Sequence, residues 1–157
     1  MYICCYEQQN KEPSMIEFKS TKLLPLNIKA LFEIVADVDS YPQFVPWCLE
    51  AKVLERQETF MKAQLNVGTG MFTDTYISDV TLTPYSKIES TCNSGPLKSL
   101  KNTWNFEEAP EGTKVTLTCT FELSSFFLNT LMRGLIEDIG SKMIKAFEER
   151  TRNFHNS

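Results

Sequence analysis

The residues that usually carry enzymatic chemistry are scarce in this chain. Its one histidine, His155, sits beside the C-terminus. Chain ends fray, so that position does not suit a held general base or a metal ligand. Hydrolases built on a Ser–His or Cys–His pair, and His-based zinc or iron sites, are therefore not expected. The five cysteines follow no metal spacing: Cys4 and Cys5 are adjacent, while Cys48, Cys92 and Cys119 are scattered. An odd, scattered set reads as reduced thiols, not as a disulfide framework. Asp37 and Asp39 are close enough to pair as acid and base, but they flank a turn and read as its caps. What remains is apolar and aromatic.

Composition narrows the class further. Of 157 residues 42% are hydrophobic and 23% charged, which is the profile of a folded domain with a core of its own. Sixteen basic against twenty acidic residues leave a net charge of −4. That balance disfavours a surface whose affinity comes from neutralising phosphates. No run approaches the ~20 apolar residues of a membrane-spanning helix. Residues 1–14 carry neither a secretory nor a mitochondrial targeting pattern and read as a disordered lead-in, or as sequence upstream of a start at Met15. The domain is expected over 15–154.

The elements that must position the apolar residues follow from periodicity. Ile16 and Phe18 alternate with Glu17 and Lys19, a half-buried strand that Pro25 stops. Asn27 is placed to cap a helix in which Ile28, Leu31, Phe32 and Val35 recur at helical spacing. A turn follows at Asp39–Pro42. Strand patterns then come in succession: Met61–Val67, Phe72–Leu82, Tyr85–Asn93, Leu100–Phe106 and Val115–Leu123. The links between them are short and rich in Gly and Pro, which implies an antiparallel meander. From Phe126 to about Arg152 the period changes to three and four, giving one long helix capped by Ser124 or Ser125. The order is α+β, a curved antiparallel sheet wrapped around a long C-terminal helix, with an apolar cavity expected where the helix fills the concavity incompletely.

Four segments resemble a known family. Tyr41-Pro42-Gln43-Phe44-Val45-Pro46-Trp47-Cys48 is similar to the signature loop of the coenzyme Q-binding proteins. These belong to the START-like, polyketide cyclase/dehydrase-type helix-grip superfamily. Ile77–Pro84 resembles the family's middle strand, Gly95–Phe106 its Gly-Pro, Leu, Trp-x-Phe pattern, and Ala146–Arg150 the end of its last helix. Leu97 departs from the aromatic residue expected after Gly-Pro, and residues 1–14 have no counterpart.

The resemblance implies a non-catalytic lipid chaperone, with ubiquinone or a polyisoprenoid precursor as bound ligand and no other cofactor. It would support quinone biosynthesis and respiration. Such a protein is expected in the cytoplasm at the inner membrane face, or on the matrix side of the mitochondrial inner membrane, in passing contact with the membrane and with quinone-handling enzymes. Bacterial relatives described as ribosome-association toxins supply the alternative, a ribosome-binding inhibitor of subunit association. An aromatase or cyclase is the third reading.

Candidate cavity or entrance residues are Phe44, Val45 and Trp47 in the Pro-bracketed loop. The strands offer Phe72, Tyr76, Trp104, Phe106, Leu117 and Phe121, and the helix offers Met132, Leu135 and Ile139. The indole N–H and broad face of Trp104 suit a quinone ring with its carbonyl acceptors. Tyr76, Ser90 and Asn102 are the nearest polar handles, of which Asn102 reads as facing solvent or bonding to backbone.

Overall fold

The computed structural model describes residues 15–69, 72–92, 94 and 97–155. Strand β1 (Ile16–Leu24) buries Ile16 and Phe18 and exposes Glu17 and Lys19, as the alternation requires. Helix α1 (Ile28–Ala36) begins where the Asn27 Oδ1 accepts the Ala30 N–H at 2.9 Å. It turns Leu31, Phe32, Ile34 and Val35 inward. Where the sequence suggests only a turn, Val38–Gln43 forms a short 3-10 helix, held back against α1 because the Tyr41 hydroxyl donates to the Val35 carbonyl.

Six further strands follow: β2 (Cys48–Arg56), β3 (Phe60–Thr69), β4 (Phe72–Thr83), β5 (Lys87–Cys92), β6 (Leu97–Ala109) and β7 (Gly112–Leu123). With β1 they form one seven-stranded sheet in the order β1-β7-β6-β5-β4-β3-β2. Every pairing is antiparallel. The expected meander runs from β2 to β7, and β1 adds to its far edge from Ile16 opposite Phe121 to Leu24 opposite Thr113. Strand β2 has no periodic signature in the sequence. Its register shifts twice, between Cys48 and Glu50 and between Val53 and Glu55, and each shift breaks the two-residue alternation.

Helix α2 (Phe126–His155) closes the concave side. Ser125 caps it, its Oγ accepting the Leu128 N–H at 3.3 Å while its carbonyl takes the Asn129 N–H at 2.9 Å. Asn129 in turn accepts the Leu123 N–H at 3.2 Å, tying the helix start to the end of β7. The core between the layers holds Leu31, Val35, Met61, Leu117 and Phe147, each at most 2% exposed.

Two glycines sit where chains touch. A Cβ on Gly112 would lie 2.1 Å from the Leu24 carbonyl oxygen, and its φ of +150° is one that side chains avoid. A Cβ on Gly140 would lie 2.3–2.5 Å from the buried Phe18 ring, so α2 packs directly on β1 there. Gly134, two turns earlier, has nothing within 4 Å of such a Cβ. The two positions should respond to one substitution with opposite signs. Gly140→Ala is expected to lose about 1–3 kcal/mol by overpacking, and Gly134→Ala to gain up to about 1 kcal/mol from helix propensity. Urea midpoints of the two variants measure both. A neutral Gly140→Ala would mean that α2 does not rest on Phe18.

Candidate ligand cavity

The loop after the 3-10 helix is fixed by its own backbone. The Phe44 and Val45 N–H groups both donate to the Tyr41 carbonyl, at 3.1 and 2.8 Å, and Cys48 N–H donates to the Val45 carbonyl at 3.1 Å. The Gly68 N–H donates to the Trp47 carbonyl at 2.9 Å, which fastens the loop to the end of β3. Aromatic rings then join loop, sheet and helix at Phe147. Its centroid is 5.4 Å from Tyr41 and 5.0 Å from Phe44, both edge-on, and 4.8 Å from Trp104. One turn further along α2, the Arg150 guanidinium stacks 5.1 Å from the Phe44 centroid and donates to Gln43 Oε1 at 3.4 Å.

These contacts enclose a cavity of about 100 Å³ beneath the second half of α2. Val35 and Val38 close one side, and Tyr41, Val45, Trp47 and Cys48 come from the loop. The floor is Met61, Leu65 and Val67 of β3, Tyr76, Ser78 and Val80 of β4, Ile88 and Ser90 of β5, and Asn102 and Trp104 of β6. Met143 and Phe147 form the roof. No lining residue carries a charge. The volume holds several waters but lies below the ~300–1,000 Å³ usual for sites of drug-sized ligands.

The polar atoms of the floor lie close together. Ser90 and Asn102 face each other across β5 and β6. Ser78 Oγ donates to the Thr91 carbonyl at 3.3 Å. The Asn102 Oδ1 is buried, with no hydrogen-bond partner among the described residues. Asn102 thus faces the cavity, contrary to the expectation that it meets solvent or backbone: it shares the inward face of β6 with Trp104. An orphaned buried carbonyl is costly and marks a place where a bound group can improve the structure.

Proton chemistry is suppressed here. Burial holds the Tyr41 and Tyr76 hydroxyls far above their ordinary range, and neighbouring Tyr and Cys groups add to the effect. Burial also raises the Cys48 thiol and pushes that of Cys119 up to about 12. Cys48, Cys92 and Cys119 are all unbridged and buried. Among the described residues, no three His, Cys, Asp or Glu side chains gather as a metal site. The arrangement solvates an apolar molecule and offers it uncharged hydrogen-bonding groups.

Of the twelve residues singled out in the sequence, Val45, Trp47, Tyr76 and Trp104 line the cavity. Phe44 stands behind it, against Phe147. Phe106, Leu117 and Phe121 are buried in the core beyond it, Phe106 lying 5.5 Å from Phe32. Met132 packs on the core half-buried, and Ile139 is half-buried. Leu135 is a correction, since at 44% exposure it points away from the sheet. The close approach at Gly140 turns the arc of Met132, Ile136 and Met143 inward and leaves Leu135 outside. Phe72 opens β4, and its side chain is outside the described part. Tyr41, Met61, Leu65, Val67 and Phe147 are wall residues that sequence reasoning assigned only to turn, strand or helix.

Comparison with known proteins follows the same outline. A family described as polyketide cyclase / dehydrase and lipid transport matches residues 24–148. The ribosome association toxin RatA of Pseudomonas aeruginosa is 33% identical over 134 residues, covering 85% of this chain and 93% of that protein. The mitochondrial coenzyme Q-binding protein COQ10 homolog B of Xenopus laevis is 31% identical over 140 residues, covering 86% of this chain and 57% of that protein. Among solved structures, the 18 kDa protein CC1736 of Caulobacter crescentus is 28% identical with a TM-score of 0.75, covering 90% of this chain and 99% of that one. The Zhui aromatase/cyclase from a Streptomyces shares the fold, with a TM-score of 0.79 at 15% identity over 88% of this chain and 94% of that one.

The buried acids of the cavity and of the core beside it set an alkaline limit. The Cys119 thiol keeps its proton in the folded chain up to about 12, against an ordinary value of 9.0. Its contribution is therefore complete below pH 9 and is lost as pH rises toward 12, and Tyr41 and Tyr76 act with the same sign. Urea midpoints should fall steadily above pH 9, and Cys119→Ala should flatten part of the slope. A midpoint level to pH 11 would contradict the burial of these groups.

Proposed function

The chain belongs to the polyketide cyclase / dehydrase and lipid transport family, and on that premise we propose that it is a non-catalytic carrier of a ring-headed isoprenoid lipid of the ubiquinone type. The observation that carries this reading is the charge-free cavity wall, with Tyr76, Ser78, Ser90 and Asn102 gathered on its floor. A quinone or phenol ring offers oxygen atoms that Ser90, Asn102 and Tyr76 can bond, while the surrounding Val, Met and Trp side chains suit its ring and first isoprene unit. Relatives named for coenzyme Q binding, at about 30% identity, support the same ligand class.

The roof contributes adaptability. Met143 is an unbranched, polarisable side chain that fits itself to irregular ligands. A cavity of about 100 Å³ does not hold a polyisoprenoid tail, so loading requires the sheet and α2 to separate, or the tail to leave between them. Neither step requires a proton donor, and no carboxylate, histidine or lysine lines the wall. That counts against an aromatase or cyclase. Under this reading the lipid comes from a membrane and passes to enzymes that make or use quinones.

The second reading is ribosome association, favoured by the RatA relatives that this chain matches over nearly their whole length. A net charge of −4 weighs against strong binding to ribosomal RNA.

Organic extraction of protein purified without detergent, followed by mass spectrometry, separates the readings. A near-stoichiometric quinone or isoprenoid precursor is expected, and Asn102→Leu should weaken short-tail quinone uptake roughly three- to tenfold, the value of one hydrogen bond. No lipid and no uptake, with co-sedimentation on ribosomal subunits at physiological salt, would replace the carrier by the ribosome-binding function.

A further inference from the structure

Four large apolar side chains stand exposed at the start of α2. Phe126 is 87% exposed, Phe127 74%, Leu131 50% and Leu135 44%. Phe127, Leu131 and Leu135 recur every four residues and so form one stripe. The buried side of the same helix carries Asn129, Gly140 and Ile144. Together the four present on the order of 400 Å² of apolar surface, the size at which a patch on a folded protein usually has a use.

The charges around this patch are one-sided. From Phe126 to Ile136 the helix has no acidic residue and one cation, Arg133. Its first turn lacks acids, although that end of a helix favours them. Beside it, Leu97 of β6 pairs with Leu123 of β7, which brings Lys98 to the same end of the molecule. The Lys98 side chain is 65% exposed, while its partner carboxylate on Glu122 is 9% exposed. Arg133 is exposed and donates to the Met15 carbonyl at 3.2 Å. The acids of the helix begin at Glu137 and Asp138, so it is the first turns of α2 that present cations and apolar rings to water.

We propose that this end of α2 is the face with which the protein docks on an anionic lipid bilayer. Phe126 and Phe127 at the tip of the helix enter the boundary between headgroups and acyl chains, and Leu131 follows them on the outer side. Lys98 and, from the opposite side of the helix, Arg133 reach the lipid phosphates around the tip. A second copy of the chain is a poorer occupant, because a two-fold contact would set Arg133 and Lys98 near their own copies. The Trp47 loop does not compete for this role, since Gly68, Phe147 and Arg150 hold it in place. The inference stands on the stripe and its charges and not on the ligand that the cavity holds.

The full chain is sedimented with vesicles of phosphatidylcholine alone, and of phosphatidylcholine with about one-third phosphatidylglycerol. Binding should rise with the anionic lipid and fall as salt is added. The double variant Phe127→Ser, Leu131→Ser should bind both vesicles at least about tenfold less, because apolar area drives the insertion. Arg133→Gln should lose about fivefold on anionic vesicles only. Both variants change exposed residues, so unchanged melting temperatures would show that they remain folded. Vesicle binding equal to wild type in the double variant would overturn the proposal. So would a concentration-dependent dimer that the double variant abolishes while its vesicle binding persists. Short-tail quinone uptake from micelles, measured on the same samples, keeps the two proposals apart. Uptake retained where vesicle binding is lost supports the docking face, whereas a wild type that binds vesicles and takes up no quinone leaves the docking face standing and overturns the carrier function.

Discussion

A single helix about 10 Å across cannot cover the concave side of a seven-stranded sheet, whose strands at ~4.8 Å spacing span roughly 29 Å. The rest of this structure follows from that mismatch. Helix α2 rests on the β1 side, where Gly140 lets it sit against Phe18. Helix α1 packs over β6 and β7, where Phe32 meets Phe106, and the 3-10 helix and the Pro-bracketed loop lie over β2 and the end of β3. These pieces meet α2 at Phe147, whose ring touches Tyr41, Phe44 and Trp104. The space they do not fill is the cavity.

The same constraint explains the character of that space. Its walls are the inward faces of a sheet core, where a charge would be expensive, and none is present. Polar groups persist only as hydroxyls, a thiol, one amide and two indoles, and burial keeps the hydroxyls of Tyr41 and Tyr76 and the Cys48 thiol in their neutral form. Two buried amide carbonyls, those of Asn66 and Asn102, have no hydrogen-bond partner among the described residues, and of the two Asn102 belongs to the cavity wall. A stability-optimised core would place an apolar residue there. The hydroxyl of a phenol or quinol ring can offset the cost by donating to the Asn102 carbonyl, whereas a quinone carbonyl can only accept from the amide N–H.

Much of the fold was legible because its signals are local. The alternation of Val115, Leu117, Cys119 and Phe121 marks β7, Asn27 caps α1, and a period near 3.6 marks α2. Strand β2 was not legible, because two register shifts erase its alternation and its outer edge is exposed. The site was legible in part. Val45, Trp47, Tyr76 and Trp104 stood out by residue type, yet the cavity lies nearer Met143 and Phe147 than Met132, Leu135 and Ile139. Apolar residues occur around more than half of α2, so periodicity alone does not say which arc faces the sheet. Contact at Gly140 decides it, and nothing in the sequence distinguishes that glycine from Gly134.

Fluorescence of Trp104 gives the most direct test that the cavity is the ligand site. The chain has two tryptophans, so Trp47→Phe leaves Trp104 as the single reporter, 8% exposed on the cavity wall. Titration with a short-tail quinone, which quenches indole emission on contact, should give saturable quenching of Trp104, and Asn102→Leu should shift that curve to higher concentration. Quenching that stays linear and no stronger than for a buried indole outside any site, and is indifferent to Asn102, would place the ligand elsewhere and contradict the account.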